Sequence, residues 1–208
     1  YAPTKVVFGK ETETKVGELV AQQGCKKVLV HYGSGSVKRS GLLDRVFASL
    51  DEKGIHYVEL GGVVPNPRLS LVYKGIDLCK EEGVDFILAV GGGSVIDSAK
   101  AIAVMAVNDG DYWDYINGGS GKGNLVKKAL PIVAIPTTAG TGTEADPWTV
   151  ITNEDKNEKI GFGCRFTFPV LSIVDPEMML SLPPHLTAYQ GFDAFFHAAE
   201  GFIANCAT

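Results

Sequence analysis

The segment Phe86-Ile87-Leu88-Ala89-Val90-Gly91-Gly92-Gly93-Ser94 gives the clearest indication of the fold in this 208-residue sequence. A short, unbroken apolar run is typical of a strand that is buried on both faces of a parallel sheet. After Ser94, apolar side chains recur at helical spacing up to residue 107. The sequence therefore predicts a strand that passes through a three-glycine turn directly into a helix.

A turn of this kind is suited to binding an anion. Glycine lets the backbone approach a phosphate without interference from a Cβ atom, and the helix N-terminus adds free N–H groups and the positive end of its dipole. The pattern is neither Gly-x-Gly-x-x-Gly nor a P-loop with Gly-Lys-Ser/Thr, so ATP hydrolysis is disfavoured. Taken alone, these glycines are equally well explained as a tight strand-to-helix connection that binds no ligand.

The same alternation of strand and helix extends along most of the chain. Strands are predicted at residues 4–8, 27–31, 57–60, 86–90, 132–135, 150–152 and 171–174, with helical patterns between the first five. This order predicts an α/β fold of parallel strands joined by crossover helices. From residue 185 to 204 the pattern is purely helical, so we expect an α/β domain over residues 1–180 and the start of a helical domain over 181–208.

Composition limits the classes of partner. The net charge is −5 without a basic block, which gives no support for a nucleic-acid partner. The apolar runs are far shorter than the roughly 20 residues that span a bilayer, and no signal peptide is visible, so no membrane partner is expected. The widely spaced Cys25, Cys79, Cys164 and Cys206 indicate reduced thiols in a cytoplasmic protein that binds a small molecule.

Three loops follow predicted strands and are expected to meet at one edge of the sheet. They are residues 33–36, residues 91–94 and the threonine loop, Pro136-Thr137-Thr138-Ala139-Gly140-Thr141-Gly142-Thr143. In doubly wound sheets, ligands bind beyond the carboxyl ends of the strands. The three loops therefore predict one ligand crevice, although threonine-rich loops also close turns without a ligand.

Asp193 and His197 are four residues apart on the predicted C-terminal helix, so their side chains begin about 6 Å apart on one face. They could share a divalent metal, but an ordinary Asp-His helix pair is the more common explanation. The apolar neighbours Phe192, Phe195 and Phe196 predict that the pair is shielded from water. A shielded carboxylate requires a hydrogen bond or a cation, which favours the metal.

Taken together, three motifs resemble the iron-containing alcohol dehydrogenases in order and spacing: Gly91-Gly92-Gly93-Ser94-Val95-Ile96-Asp97, the threonine loop followed by Glu144, and Gly191-Phe192-Asp193-Ala194-x-x-His197. The resemblance runs from Pro3 to the end of the chain, and residues 32–38 are similar to the butanol-dehydrogenase branch. Asp146-Pro147-Trp148 departs from the family pattern. The resemblance implies a dehydroquinate-synthase-like fold, with a Rossmann-like dinucleotide domain followed by an all-helical metal-binding domain.

The resemblance also implies roles for individual residues. Asp97 would support the glycine turn, and Asp193 and His197 match the first two ligands of Fe2+ or Zn2+. Two further histidines of the family lie beyond the matched region, so we expect a longer natural protein. The residues implied in cofactor binding are Gly33, Gly35, Ser36, Asn66, Gly91, Gly92, Gly93, Ser94, Asp97, Thr137, Thr138 and Lys159.

The implied activity is metal-dependent hydride transfer between NAD(P)(H) and a primary alcohol or aldehyde, in a homodimer. The second strand carries no acidic residue for a ribose 2′-hydroxyl, and Lys38 or Arg39 could pair with a 2′-phosphate, so NADP(H) is favoured over NAD(H). The alternative is a nucleotide-binding module without catalysis. A lyase related to dehydroquinate synthase fits less well, because its metal ligands differ.

Overall fold

The computed structural model describes residues 1–205, and Cys206 lies outside them. Short 3-10 turns lie at Thr12–Lys15, Tyr112–Tyr115 and Pro176–Met179. The strands and α-helices follow the chain in the order β1 (Lys5–Phe8), α1 (Val16–Ala21), β2 (Lys27–Gly33), α2 (Ser36–Arg39), α3 (Leu42–Glu52), β3 (His56–Val63), α4 (Leu69–Glu82), β4 (Phe86–Gly91), α5 (Gly93–Met105), β5 (Ile132–Pro136), β6 (Trp148–Asn153), β7 (Glu158–Gly163), β8 (Leu171–Val174) and α6 (Pro184–Ile203).

Six strands form one sheet in the order β1-β8-β5-β4-β2-β3, and every neighbouring pair is parallel. This arrangement confirms the predicted α/β fold class. Because β2, β4 and β5 are adjacent and parallel, their carboxyl ends lie side by side at one edge. The sheet thereby brings the three predicted loops to the same side of the molecule.

The central strand β4 is buried on both faces. Phe86, Leu88 and Val90 belong to the hydrophobic cluster formed with α1 and α3. Ile87 and Ala89 belong to the second cluster, formed with α4 and α5. Alternate residues of a strand point to opposite faces, so a strand covered on both sides reads as a continuous apolar run. This packing explains why residues 86–90 do not alternate between apolar and polar side chains.

The strand predicted at residues 150–152 does not join the parallel sheet. It lies in β6, which pairs antiparallel with β7 as a separate two-stranded sheet. β7 was not predicted from the sequence, because Glu158-Lys159-Ile160-Gly161-Phe162-Gly163 mixes polar residues with two glycines. Its apolar face becomes evident only once β7 pairs with β6. Thr149 Oγ1 donates to the Asp97 carbonyl at 2.7 Å and ties this β6–β7 hairpin to α5.

The C-terminal helix α6 forms where a helix was predicted, directly after Pro183. None of its residues is buried in the described structure. Within residues 1–205 no helix combines the length and the apolar character that crossing a bilayer would need. The domain boundary after residue 180 stays a prediction.

Candidate functional site

The glycine turn is pressed closely against the threonine loop. β4 ends at Gly91 and α5 begins at Gly93. A Cβ atom placed on Gly92 would lie 2.9 Å from Thr138 Oγ1, and one placed on Gly93 would lie 3.1 Å from the Thr141 methyl carbon. A side chain at either position would press on these threonines, so glycine permits the close approach, and the N-terminus of α5 is left open toward solvent or a ligand.

A cleft of about 480 Å³ opens beside the N-terminus of α5. It is bounded by the glycine turn, the threonine loop, the β6–β7 hairpin and α6. Of the residues predicted from the sequence, the cleft brings together Asn66, Gly93, Ser94, Asp97, Lys159, Asp193 and His197. Asn66, the start of α5, Lys159 and the Asp-His pair of α6 are far apart in the sequence, but they line one cavity.

The other predicted cofactor residues lie next to the cleft and do not line it. Thr137 N donates to the Gly91 carbonyl at 3.1 Å, so Thr137 borders the glycine turn, as Gly92 and Thr138 do. Gly33 ends β2, and a Cβ atom there would be 3.9 Å from Val95. Gly33 therefore adjoins the start of α5, Gly35 and Ser36 follow it in the next loop, and Thr141 and Thr143 are the threonines that line the cleft itself.

Asn66 and Lys159 meet across the mouth of the cleft, although 93 positions separate them in sequence. Lys159 Nζ donates to Asn66 Oδ1 at 2.7 Å. Asn66 has a left-handed φ of 58°, which asparagine tolerates better than most residues. The pair joins the segment before α4 to the β6–β7 hairpin and presents an ammonium group to the cavity.

Asp97 supports a different element from the one predicted. Its Oδ1 accepts from Thr143 Oγ1 at 2.8 Å, and its Oδ2 accepts from Val150 N at 3.0 Å. The carboxylate thus holds the threonine loop and β6, and neither of these two hydrogen bonds involves the glycine turn. Burial raises the pKa of Asp97, while these hydrogen bonds act in the opposite direction.

Lys100, on the same helix, has a structural role that the sequence analysis missed. Its side chain is fully buried, and Nζ donates to the carbonyls of Thr143 at 2.8 Å and Trp148 at 2.7 Å. Burial lowers the pKa of Lys100, and the nearby Asp146 carboxylate opposes that shift. The sequence offered one indication of this role, because Lys100 directly precedes the apolar run Ala101-Ile102-Ala103. A charged group on a buried helix face needs polar partners.

Asp193 and His197 lie on one face of α6, with 3.7 Å between Asp193 Oδ1 and His197 Nε2. Two ligands of one zinc or iron ion can be this far apart, so the donor pair fits a metal. Within residues 1–205 no group of three or more His, Cys, Asp or Glu side chains forms a metal site. The described residues therefore bring together the two side chains that the family resemblance predicts as metal ligands, and this role stays a prediction.

The predicted shielding of this pair was wrong. The Asp193 and His197 side chains are 46% and 61% exposed. Their aromatic neighbours Phe192, Phe195 and Phe196 are between 54% and 66% exposed as well. An apolar helix face is shielded only where another element packs on it, and no described element covers these rings.

The threonine loop contacts α6 directly at Gln190. Ala139 N donates to Gln190 Oε1 at 2.9 Å. A Cβ atom on Gly140, whose φ is +99°, would lie only 2.6 Å from the Gln190 carbonyl oxygen. The contact places Asp193 opposite the loop, and it could not be predicted because the two segments are 51 positions apart.

Comparisons with known proteins identify the family and several similar relatives. The family described as iron-containing alcohol dehydrogenase matches residues 3–176. A probable NADH-dependent butanol dehydrogenase 2 of Bacillus subtilis is 45% identical over 205 residues, which are 99% of this chain and 51% of that protein. An NADPH-dependent aldehyde reductase of Escherichia coli is 35% identical, over 98% of this chain and 51% of that protein.

Solved structures show the same similarity. The crystal structure of an NADH-dependent butanol dehydrogenase A from Thermotoga maritima superimposes with a TM-score of 0.93 at 44% identity. The superposition covers 98% of this chain and 50% of the other. The chain thus spans about half the length of the relatives it matches.

Proposed function

The chain belongs to the iron-containing alcohol dehydrogenase family, and from that premise we propose that it binds a nicotinamide dinucleotide for metal-dependent hydride transfer between NAD(P)(H) and a primary alcohol or aldehyde. The observation that supports this proposal best is the shared cleft. Gly93 and Ser94 at a helix N-terminus, and Asp193 and His197 on α6, line the same cavity. The cavity thus has an anion-binding end and a metal-binding end.

The residues at the glycine turn suit the cofactor pyrophosphate. Gly93 and Ser94 begin α5, so their N–H groups have no partner earlier in the helix and can donate to phosphate oxygens. The Lys159 ammonium, held by Asn66, adds positive charge at the cleft mouth. The remaining length of the cleft would direct the nicotinamide toward α6, where hydride transfer would take place.

At the other end, Asp193 and His197 would hold part of the metal site. When bound, a divalent ion supplies Lewis-acid polarisation of the alcohol or aldehyde oxygen. Asp193 and His197 would hold the ion, and the contact between Ala139 and Gln190 fixes α6 relative to the threonine loop. The family description and the mixed carboxylate and imidazole donors support Fe2+, with Zn2+ as the other candidate.

Calorimetry on this chain tests the proposal. Binding of NADPH or NADH, together with Fe2+ or Zn2+ binding that is lost in Asp193→Ala and in His197→Ala, would support it. Oxidation of the reduced cofactor by a short aldehyde in the metal-loaded protein, followed by absorbance, would establish the reaction. A chain that bound none of these nucleotides would contradict the proposal.

A second candidate is a nucleotide-binding module without catalysis. It is supported by the glycine turn at the N-terminus of α5, which suits a phosphate whether or not a reaction follows. Nucleotide binding with no measurable metal binding would support this module. Metal binding that depends on Asp193 would exclude it.

We also propose a preference for NADP(H) over NAD(H). Two cations flank the loop after β2: Lys38 Nζ lies 5.0 Å from the centre of the Tyr32 ring, and Arg39 Nη1 would lie 2.7 Å from a Cβ atom on Gly35. Either could pair with a 2′-phosphate. Relatives named for NADH and for NADPH both occur in the family. Equal dissociation constants for NADPH and NADH would contradict this preference.

The protein is further proposed to act in the cytoplasm as a homodimer, with the boundary between its α/β and helical domains near residue 180. Buried Cys79 and half-buried Cys25 and Cys164 are free thiols, which supports a reducing compartment. Sedimentation would test the dimer. Proteolysis that cuts between residues 176 and 184 would test the boundary.

A further inference from the structure

One segment of irregular backbone forms the side of the cleft that faces α6. We define this segment, residues 143–148, as the cleft wall. Thr143, Asp146 and Trp148 of the wall line the cavity, as Asp193 and His197 do from α6. The wall connects β5 to β6, ends on Trp148 as the first residue of β6, and follows Gly140 and Gly142, which both have positive φ angles. Within the wall, Trp148 N donates to Asp146 Oδ1 at 2.7 Å, and further contacts reach the wall from outside the segment.

Those contacts come largely from Lys100. Besides the Thr143 and Trp148 carbonyls, Nζ donates to the Asp146 carbonyl at 2.9 Å and lies 2.8 Å from Thr143 Oγ1 and 3.2 Å from Asp146 Oδ1. Thr167 and Ser172 hold the intervening carbonyls of Pro147 and Glu144. A single ammonium therefore donates to three of the five wall carbonyls that side chains from outside the wall hold.

Charge and burial make this contact set a strong one. A fully buried ammonium without partners costs several kcal/mol, so the oxygens around Lys100 must stay in place for the folded state to hold. Asp97 and Asp146 flank the ammonium, and Thr143 Oγ1 donates onward to Asp97 at 2.8 Å. Displacing the wall would leave a buried cation and a part-buried carboxylate without these hydrogen bonds.

We propose that Lys100 is a positioning residue, which holds the cleft wall from behind and thereby fixes the nicotinamide end of the cofactor opposite Asp193 and His197. This inference rests on the proposed function, because it assumes that a dinucleotide occupies the cleft. Lys100 does not line the cavity, so it touches neither cofactor nor substrate. The pyrophosphate end depends on β4 and the first turn of α5, which the ammonium does not contact.

Because the pyrophosphate end and the nicotinamide end of the cleft depend on different elements, ligand binding to the 208-residue chain can test the role of Lys100. Calorimetry would compare NADPH with 2′-phospho-ADP-ribose, and NADH with ADP-ribose, in the wild type and in Lys100→Met. The ratio of the two dissociation constants measures the contribution of the nicotinamide half. We expect this contribution to fall about tenfold in Lys100→Met, while affinity for the nicotinamide-free ligands changes by less than about twofold.

Hydrogen exchange provides the second readout. Amides of the cleft wall should exchange at least about tenfold faster in Lys100→Met, with β4 amides unchanged, because local opening needs only the wall contacts to break. Lys53→Met is the matched control, since Lys53 is partly exposed and pairs only with Glu52. It should behave as the wild type in both measurements.

Lys100→Gln keeps a donor at the same depth and serves if Lys100→Met fails to fold. Its effects should be in the same direction and smaller. Wild-type exchange in the wall and a wild-type ligand ratio in a folded Lys100 variant would overturn the proposal. Equal loss of affinity for all four ligands would also overturn it, by showing a general structural role. If the wild-type chain bound no ligand, the proposed function would fail and the exchange rates alone would decide whether Lys100 holds the wall.

Discussion

His31 should make the stability of this protein strongly dependent on pH. The side chain is fully buried on β2, where its ring nitrogens lie 2.8 Å from the Leu60 carbonyl and 2.8 Å from Ser98 Oγ. A carbonyl only accepts, so Nδ1 carries the proton and Nε2 accepts from Ser98. Burial lowers the pKa of His31 to about 4, from an ordinary value of 6.5. The imidazole also connects β3 to α5, the helix that carries the glycine turn.

The sign follows from comparing the folded and unfolded chains. The folded pKa is the lower one, so the unfolded chain binds the proton first as the pH falls. The stability contributed by neutral His31 is complete above pH 6.5 and is lost progressively between pH 6.5 and pH 4. For this pair of pKa values, proton linkage gives a loss of ~2 kcal/mol between pH 8 and pH 5, and about 3 kcal/mol below pH 4.

Urea unfolding at pH 8 and at pH 5 measures this loss. The drop in unfolding free energy should be ~2 kcal/mol smaller in His31→Gln than in the wild type, because glutamine does not titrate. The variant itself is expected to be less stable at both pH values. His56→Gln, at an exposed position, is the control and should keep the wild-type dependence. An equal drop in His31→Gln and the wild type would refute the reasoning.

Three further outcomes are expected. Gly93→Val places a side chain against Thr141, at a Cβ separation of 3.1 Å, and should weaken NADPH binding at least about tenfold in calorimetry, whereas Gly201→Ala on open helix surface should not. Burial raises the pKa of Cys25 to about 12, so its thiolate fraction at pH 8 is ~10⁻⁴, and mass spectrometry should find it alkylated far more slowly in the folded than in the unfolded chain. Arg45→Met removes the 2.8 Å partner of the buried Glu13 carboxylate and should lower the unfolding free energy in urea by roughly 2 kcal/mol. This value is below the roughly 3–5 kcal/mol of fully buried pairs, because Arg45 is partly exposed. A change near zero would contradict a stabilising role for the ion pair.

The arrangement of the main sheet was predictable because its determinants are local. A strand covered on both faces needs an unbroken apolar run, and residues 86–90 show it directly. The helices between strands carry their own periodicity, and parallel strands need such crossovers. The candidate site residues on the glycine turn and on α6 could be proposed from the sequence because each motif lies within a few consecutive residues.

The contacts between motifs were not predictable in this way. Asp97 turned out to hold β6, and Lys100 to hold the cleft wall 43 to 48 positions away. Nothing in the spacing of these residues indicates their partners. A charged residue within an apolar stretch shows only that it needs polar or oppositely charged partners if it is buried. The strand β7 was missed for the same reason, since its partner β6 defines its apolar side.

By itself, the sequence determined the α/β fold, the glycine turn at a helix N-terminus and the Asp-His pair one turn apart on α6. Each follows from short-range periodicity or from the stereochemistry of adjacent residues. Only the tertiary structure decided that Asn66 meets Lys159, that Asp193 and His197 are exposed, and that Lys100 is enclosed by carbonyls. These features depend on which surfaces pack together, and burial and pairing are properties of the assembled chain that no local pattern encodes.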